Sequence, residues 1–244
     1  MAPHSNFGST KFLDPKWSRN PVSTSPSGKC CQRRERHTVP LAWAEVTNRT
    51  SLPWRYLRLA VGLVFFGVGL GLVLLGDFGL PPWDILHQGI AEQTWMTFGT
   101  AMIVIGIVLL IALLVLKEPL GVGTLANVLV IGLVVDATIN IAGSPSSSIV
   151  RAFCTACGPL VVAIGSGFYI GARLGPGPRD GLMTALDRRG VAIWKARTLI
   201  EGAALACGLA MGGTIGWGTL WFVVVIGPAV QFFLRLLDTQ PSSS

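Results

Sequence analysis

Charge is scarce in this 244-residue chain. Asp, Glu, Lys and Arg make up 13% of it, about half the share usual in a soluble domain. Hydrophobic residues make up 51%, and the mean hydropathy is +0.59. The shortage is uneven: residues 1–50 hold eight Lys/Arg and three Asp/Glu, leaving eleven and nine for everything after them. That excludes an ordinary globular domain and fits a set of membrane spans behind a basic polar tail. The pI near 9.6 follows from Lys/Arg placed in cytoplasmic loops, and we expect no nucleic-acid partner.

Histidine and cysteine are scarce as well. His87 is the one histidine after residue 50, and its position four residues after Trp83 suggests the membrane interface. The five cysteines form no disulfide framework: Cys30 and Cys31 are tandem, and Cys154, Cys157 and Cys207 sit in apolar runs. A redox or metal centre needs histidine or a polar setting nearby, so these read as small apolar fillers. There is no H-E-x-x-H motif, no serine paired with histidine in a span and no clustered acidic site. We therefore expect no enzyme, no cofactor and no metal. Ser166, between glycines in "IGSGF", reads as close packing.

What the chain does have is long apolar runs. A span needs about 20 mostly apolar residues. Six stretches qualify, near 56–76, 97–116, 123–142, 149–172, 194–212 and 218–237. The expected fold is all-α, a polytopic bundle of six transmembrane helices. Residues 1–52, rich in Ser, Pro and Arg, read as a disordered cytoplasmic tail, with no signal peptide and an Asn48 sequon of no consequence there. Residues 239–244 read as a disordered end. Arg49, Arg55 and Arg58 precede the first span, and Arg173, Arg179, Arg188, Arg189, Lys195 and Arg197 surround the fourth break, whereas the first loop carries Asp77, Asp84 and Glu92 and no Lys or Arg. Both termini are therefore expected in the cytoplasm.

The break "LGPGPRDGLM" at 174–183 echoes "FGLPPWDILH" at 78–87. Gly79, Pro82 and Asp84 recur as Gly175, Pro178 and Asp180, 96 residues on. Gly121, Gly123 and Thr124 recur as Gly216, Gly218 and Thr219, 95 residues on. Two halves, 53–142 and 143–238, thus form an internal repeat. Each holds three spans, an odd number, so the second half must enter from the opposite side. Interrupted segments at matching places in inverted repeats point to a transporter core. Pro82 and Pro178 suit the first turn of short helices over about 83–92 and 179–189, where Asp84 and Asp180 meet the positive helix end. These helices either lie on the surface or dip inward.

Charges within the apolar runs are candidates for substrate contact or gating. They are Asp136 in the third span, Arg197 and Glu201 one turn apart in the fifth, and Asp84, Arg179 and Asp180 in the two motifs. Arg179 is expected to hold Asp180 or Glu201. Thr124 and Thr219 suit helix caps. Trp54, Trp83, Trp95, Trp194, Trp217 and Trp221 fall near span ends, as an aromatic belt would.

Across about 55–237, "GPGPRDGLM" with "RTLIE" downstream, "PWDILHQG" and the two G-x-G-T motifs resemble the YczE/YyaS/YitT-type membrane proteins of bacteria. The resemblance carries Pro82, Trp83, Asp84, Gly121, Gly123 and Thr124. In the second half it carries Gly175, Pro176, Gly177, Pro178, Arg179, Asp180, Gly181, Arg197, Glu201, Gly216, Gly218 and Thr219. It implies a bacterial inner-membrane protein and no substrate. The expected function is a secondary transporter or exporter of a small solute. A solute channel built on half-helices, or a scaffold of a membrane complex, are the competing classes. The expected partners are the bilayer and a small solute, and a homo-oligomer is compatible with the sequence.

Overall fold

A computed structural model of the chain describes residues 51–237. The readings of the N-terminal tail, with Cys30, Cys31 and Asn48, and of 239–244 lie outside the described residues. Among the described residues there are eight helices and no strand. They are α1 (Leu52–Gly76), α2 (Pro82–Gln93), α3 (Phe98–Val115), α4 (Val122–Ala142), α5 (Ser148–Gly171), α6 (Pro178–Asp187), α7 (Ile193–Ala210) and α8 (Trp217–Leu237). α2 and α6 are the two expected short helices. Each opens on its proline, whose missing N–H costs nothing there, and each carries its aspartate in the first turn.

Five helices, α1, α3, α4, α5 and α8, are long and apolar enough to cross a membrane. α7 fills the remaining expected stretch, but its 18 residues include Lys195, Arg197 and Glu201, and it stands apart from those five. Outward faces are apolar: Val108, Leu114, Leu133, Val224 and Phe232 are each more than half exposed. A soluble monomer rarely shows such surface.

α1 and α5 pack against each other along their length. Their crossing is set by glycine. A Cβ on Gly62 would lie 2.8 Å from the Gly165 carbonyl oxygen, and one on Gly69 would lie 2.9 Å from that of Gly158. Only residues without a side chain permit that approach. Positions rise along α1 as they fall along α5, so the helices are antiparallel. Around this seam α1 packs on α4, α5 on α8, α2 on α7 and α6 on α3. Leu63, Val73, Ile85, Val135 and Val162 fill the core.

Many contacts occur twice. Arg55 donates through Nε to Ala172 O (3.0 Å) and through Nη2 to Arg173 O (2.7 Å), closing the end of α5. Arg151 donates to Gly76 O (3.2 Å) and Asp77 O (3.4 Å), closing the end of α1. Arg189 at the end of α6 donates to Leu116 O, and Gln93 at the end of α2 donates to Met211 O. The Gly123 N–H bonds Leu174 O, and the Gly218 N–H bonds Phe78 O. Backbone of positive φ recurs at Asp77 and Arg173, and at Gly79 and Gly175. Gly79 needs it where the chain presses on Gly216, and Gly175 where it presses on Gly121. In each pair the partners stand 95 or 96 residues apart, with the halves exchanged.

Two expectations from the sequence are corrected. Trp83 is not in an aromatic belt: it is 6% exposed, whereas Trp95, Trp194 and Trp217 are open. His87 is not at an interface but buried, with Nδ1 3.1 Å from Asp84 Oδ1. Both follow from α2 turning inward, a direction that the break before it does not specify. Of the cysteines, Cys154 is buried, Cys157 partly so and Cys207 exposed. Ser166 is buried, its hydroxyl on Val162 O.

Candidate functional site

The two proline motifs meet. Trp83 and His87 of α2 line one cavity with Arg179 and Asp180 of α6. Its volume is about 200 Å³, and Arg197 and Glu201 of α7, Asn127 of α4 and Tyr169 of α5 complete its polar wall. Phe66, Met102, Ile105, Val128 and Ile131 form an apolar wall opposite in character. The short helices bring this about because each starts at a tight glycine turn and packs between α3 and α7 instead of running out along a surface.

The Arg179 guanidinium lies over the Trp83 ring, 4.8 Å from its centroid, a cation–π arrangement. Its nearest carboxylate is neither Asp180 nor Glu201, as expected, but Asp84, with Nη2 to Oδ1 at 3.9 Å. Asp84 is 2% exposed and sits between Arg179 and His87. Burial holds His87 below its ordinary range, with Asp84 pulling upward and Arg179 adding to the downward push. The ring is therefore neutral near pH 7, and His87 and Asp84 share one hydrogen bond. Arg197 binds Glu201, Nε to Oε1 at 3.1 Å, as their spacing of four implies.

Among the described residues, two buried side-chain polar atoms have no hydrogen-bond partner: Trp83 Nε1 and Tyr169 Oη. Both side chains belong to the cavity wall. Unpaired buried polar atoms are rare in native proteins and call for an explanation. A second cavity, about 630 Å³, adjoins the first through Tyr169 and Asp180. It extends past Thr184 and Leu113 to Arg55, Glu118, Arg173 and Arg188.

The remaining candidates lie elsewhere. Asp136 accepts from Thr97 Oγ1 (2.5 Å) and the Gly99 N–H (2.8 Å), clamping the start of α3. Thr124 does not cap its own helix, because Gly121 holds the cap position and Thr124 Oγ1 donates to Pro176 O at 2.7 Å, tying α4 to the α6 turn. Thr219 Oγ1 accepts from the Gly216 N–H, reaching back across the start of α8. Gly121, Gly123, Gly216 and Gly218 give the backbone room against Gly175, Leu174, Gly79 and Phe78. Gly181 faces Leu113. Tyr169, Asn127, Arg55 and Arg151 were not among the sequence candidates. Tyr169 is one of two tyrosines and lies within an apolar run, a signal of a kind that a buried hydroxyl leaves. Among the described residues, no group of three His, Cys, Asp or Glu is placed to hold a metal ion.

Residues 53–235 match the model of a "Family of unknown function (DUF6198)". The chain belongs to this family. Among its relatives, an "Uncharacterized protein" of Haemophilus influenzae is 34% identical over 201 residues, covering 82% of this chain and 92% of its own. The "Uncharacterized membrane protein YczE" of Bacillus subtilis is 30% identical over 190 residues, covering 76% and 88%. The "Uncharacterized protein YyaS" of the same bacterium is 24% identical over 190 residues, covering 75% and 94%. No solved structure is significantly similar. The resemblance drawn from the motifs thus holds, and with five span-length apolar helices this member of the family is an integral membrane protein. The match begins at residue 53, one residue into the first helix, and takes in both proline motifs.

Proposed function

We propose that this family member is a secondary transporter of a small solute in a bacterial cytoplasmic membrane, built from two inverted three-helix repeats. The cavity between the two proline motifs carries the reading. Both halves line it: the second supplies the charged groups Arg179, Asp180, Arg197 and Glu201, and the first supplies Trp83 and His87, with Asp84 buried behind them 3.9 Å from Arg179. Six spans follow if α7 crosses with its charges turned to this cavity, where Arg197 and Glu201 already pair. The antiparallel α1–α5 seam and the doubled contacts support the inversion. Such repeats let one fold alternate between two related shapes around a fixed site.

Charge supports the orientation. Arg55 and Arg173 meet at one end of the bundle, and Arg58 reaches Leu237 O there. Arg188 and Arg189 both bind Glu118. The end that carries Asp77 has Arg151. The positive end belongs in the cytoplasm, with both termini. The wider cavity runs toward that end, past Arg55 and Arg188, so the conformation reads as open to the cytoplasm.

The test compares metabolites of a deletion strain with those of its complement, then measures flux of the differing solutes in proteoliposomes. Saturable, gradient-driven flux is expected. Flux linear in concentration would favour a channel, and none for any differing solute would favour a scaffold.

A further inference from the structure

We propose that the cavity binds an amino-acid-sized zwitterion, its carboxylate toward Arg179 and Trp83 Nε1 and its ammonium toward Asp180 and Glu201. The inference deepens the transporter reading and rests on it for the cavity's role.

The argument starts from where the two halves differ. Arg179 stands 96 residues after Trp83, so the stacked pair is the same position contributed by both halves. Around that shared point the halves diverge. Tyr169 corresponds to Val73, Gly177 to Pro81, Asn127 to Phe222, and Arg197 and Glu201 to Met102 and Gly106. A fold symmetry demands none of these changes. Each puts a polar group, or space, on the cavity wall where the matching position of the other half has an apolar or smaller residue.

Gly177 marks the space. A Cβ there would sit 3.1 Å from Tyr169 Oη, 3.7 Å from Asp180 Oδ2 and 4.0 Å from Asn127 Nδ2. Three polar atoms thus surround a point that no side chain fills, and one of them, Tyr169 Oη, lacks a partner. Gly177 has φ −60, a conformation open to any residue, so its backbone does not require glycine. The missing side chain makes room for the Tyr169 hydroxyl, 3.1 Å from where a Cβ would sit, and leaves that hydroxyl free to pair with a ligand atom.

Charge selects the ligand class. The lining carries two guanidiniums, Arg179 and Arg197, and two carboxylates, Asp180 and Glu201, with Asp84 buried beside Arg179 and His87 neutral. A bare anion faces the two carboxylates and unbalances the site. A bare cation leaves the Trp83 N–H, which can only donate, and faces Arg179. A zwitterion satisfies both ends and adds no net charge to a weakly solvated site. The wall of Phe66, Met102 and Ile105 accepts its carbon skeleton.

The test is melting of the purified full chain in detergent. The probes are the standard α-amino acids and straight-chain ω-amino acids, each beside its decarboxylated amine and its deaminated acid. At least one amino acid should raise Tm by a few degrees, saturably, while its amine and acid do not. Tyr169→Phe, which removes one hydroxyl, should keep the unliganded Tm and weaken apparent affinity roughly tenfold, the scale of one buried hydrogen bond. Gly177→Ala should abolish the shift. Equal shifts from the acid or the amine, no shift from any zwitterion, or full binding by Gly177→Ala would overturn the proposal. The same probes in proteoliposomes separate it from the transporter reading. Binding without flux removes transport and leaves the site, whereas saturable flux of a non-zwitterion, blocked by Gly177→Ala, removes the ligand class and leaves transport.

Discussion

At the scale of single residues, Arg55 and Arg151 do one job at opposite ends of the α1–α5 seam. Each points a guanidinium at the last carbonyls of the neighbouring helix, which have no partner within that helix. Arg55→Ala should cost roughly 1–3 kcal/mol, the range of hydrogen bonds to a charged donor plus its helix-end attraction, read as a lower Tm in detergent. His87 gives a pH prediction. Its folded-state pKa is depressed by burial, so the unfolded chain takes up the proton first as pH falls. Stability conferred by the neutral ring is complete above the unfolded value and is lost as pH drops toward the folded one, by up to about 1.4 kcal/mol per pH unit. Tm should fall between pH 7 and pH 5, and His87→Gln should flatten that slope. A slope unchanged in the variant would assign it to other groups. These roles were partly legible. Arg55 and Arg151 stand 96 residues apart, but as isolated charges they show only which side of a membrane they prefer. Trp83 and Arg179 share that offset, and their chemical difference hides the equivalence until the ring and the guanidinium are seen stacked.

At the scale of elements, α2 and α6 were legible to within a few residues, since proline starts them and glycine turns precede them. Their inward course was not, because a break in an apolar run has no direction. The course is set by packing that only three dimensions reveal. Gly208 of α7 lies against Ile85 of α2, and 96 or 95 residues away the pair returns reversed, with Gly181 of α6 against Leu113 of α3. Large meets small in both halves, with the roles exchanged. A Cβ on Gly208 would come within 2.5 Å of the Leu86 backbone N and 2.7 Å of the Ile85 carbonyl carbon. Backbone atoms cannot swing aside, so Gly208→Ala should destabilise by about 1–3 kcal/mol, the usual cost of overpacking. Gly202, on the same helix, has nothing within 4 Å of its missing Cβ. Gly202→Ala should be neutral or gain up to about 1 kcal/mol of helix propensity. Equal losses in the two variants would show that helix flexibility, not contact with α2, is what glycine supplies.

For the whole molecule, the proposed inversion bears on a difference between two matching places. Thr184 of α6 lines the wide cavity that leads toward Arg55 and Arg188. Gln88 of α2 stands 96 residues earlier, and we read that end as the closed one, because Gln88 Oε1 accepts from both the N–H and the hydroxyl of Thr214, at 2.9 and 3.0 Å. If the halves exchange shapes during transport, the open and closed ends must exchange as well, and a solute that binds one shape more tightly shifts the populations between them. The measurement uses Thr184→Cys and Gln88→Cys, each in a background without the native cysteines, and a thiol reagent that cannot cross the membrane. Thr184→Cys should label rapidly in inverted vesicles, whose cytoplasmic face is outward, and slowly in intact cells. Gln88→Cys should label slowly from either side until a transported solute is supplied, and then from the outside of cells. Reporter fusions after residues 90 and 185 should likewise fall on opposite sides. Labelling of both cysteines from one side would exclude the inverted arrangement. Labelling from opposite sides at rates that no solute alters would keep the inversion and leave a fixed pore in place of a moving one.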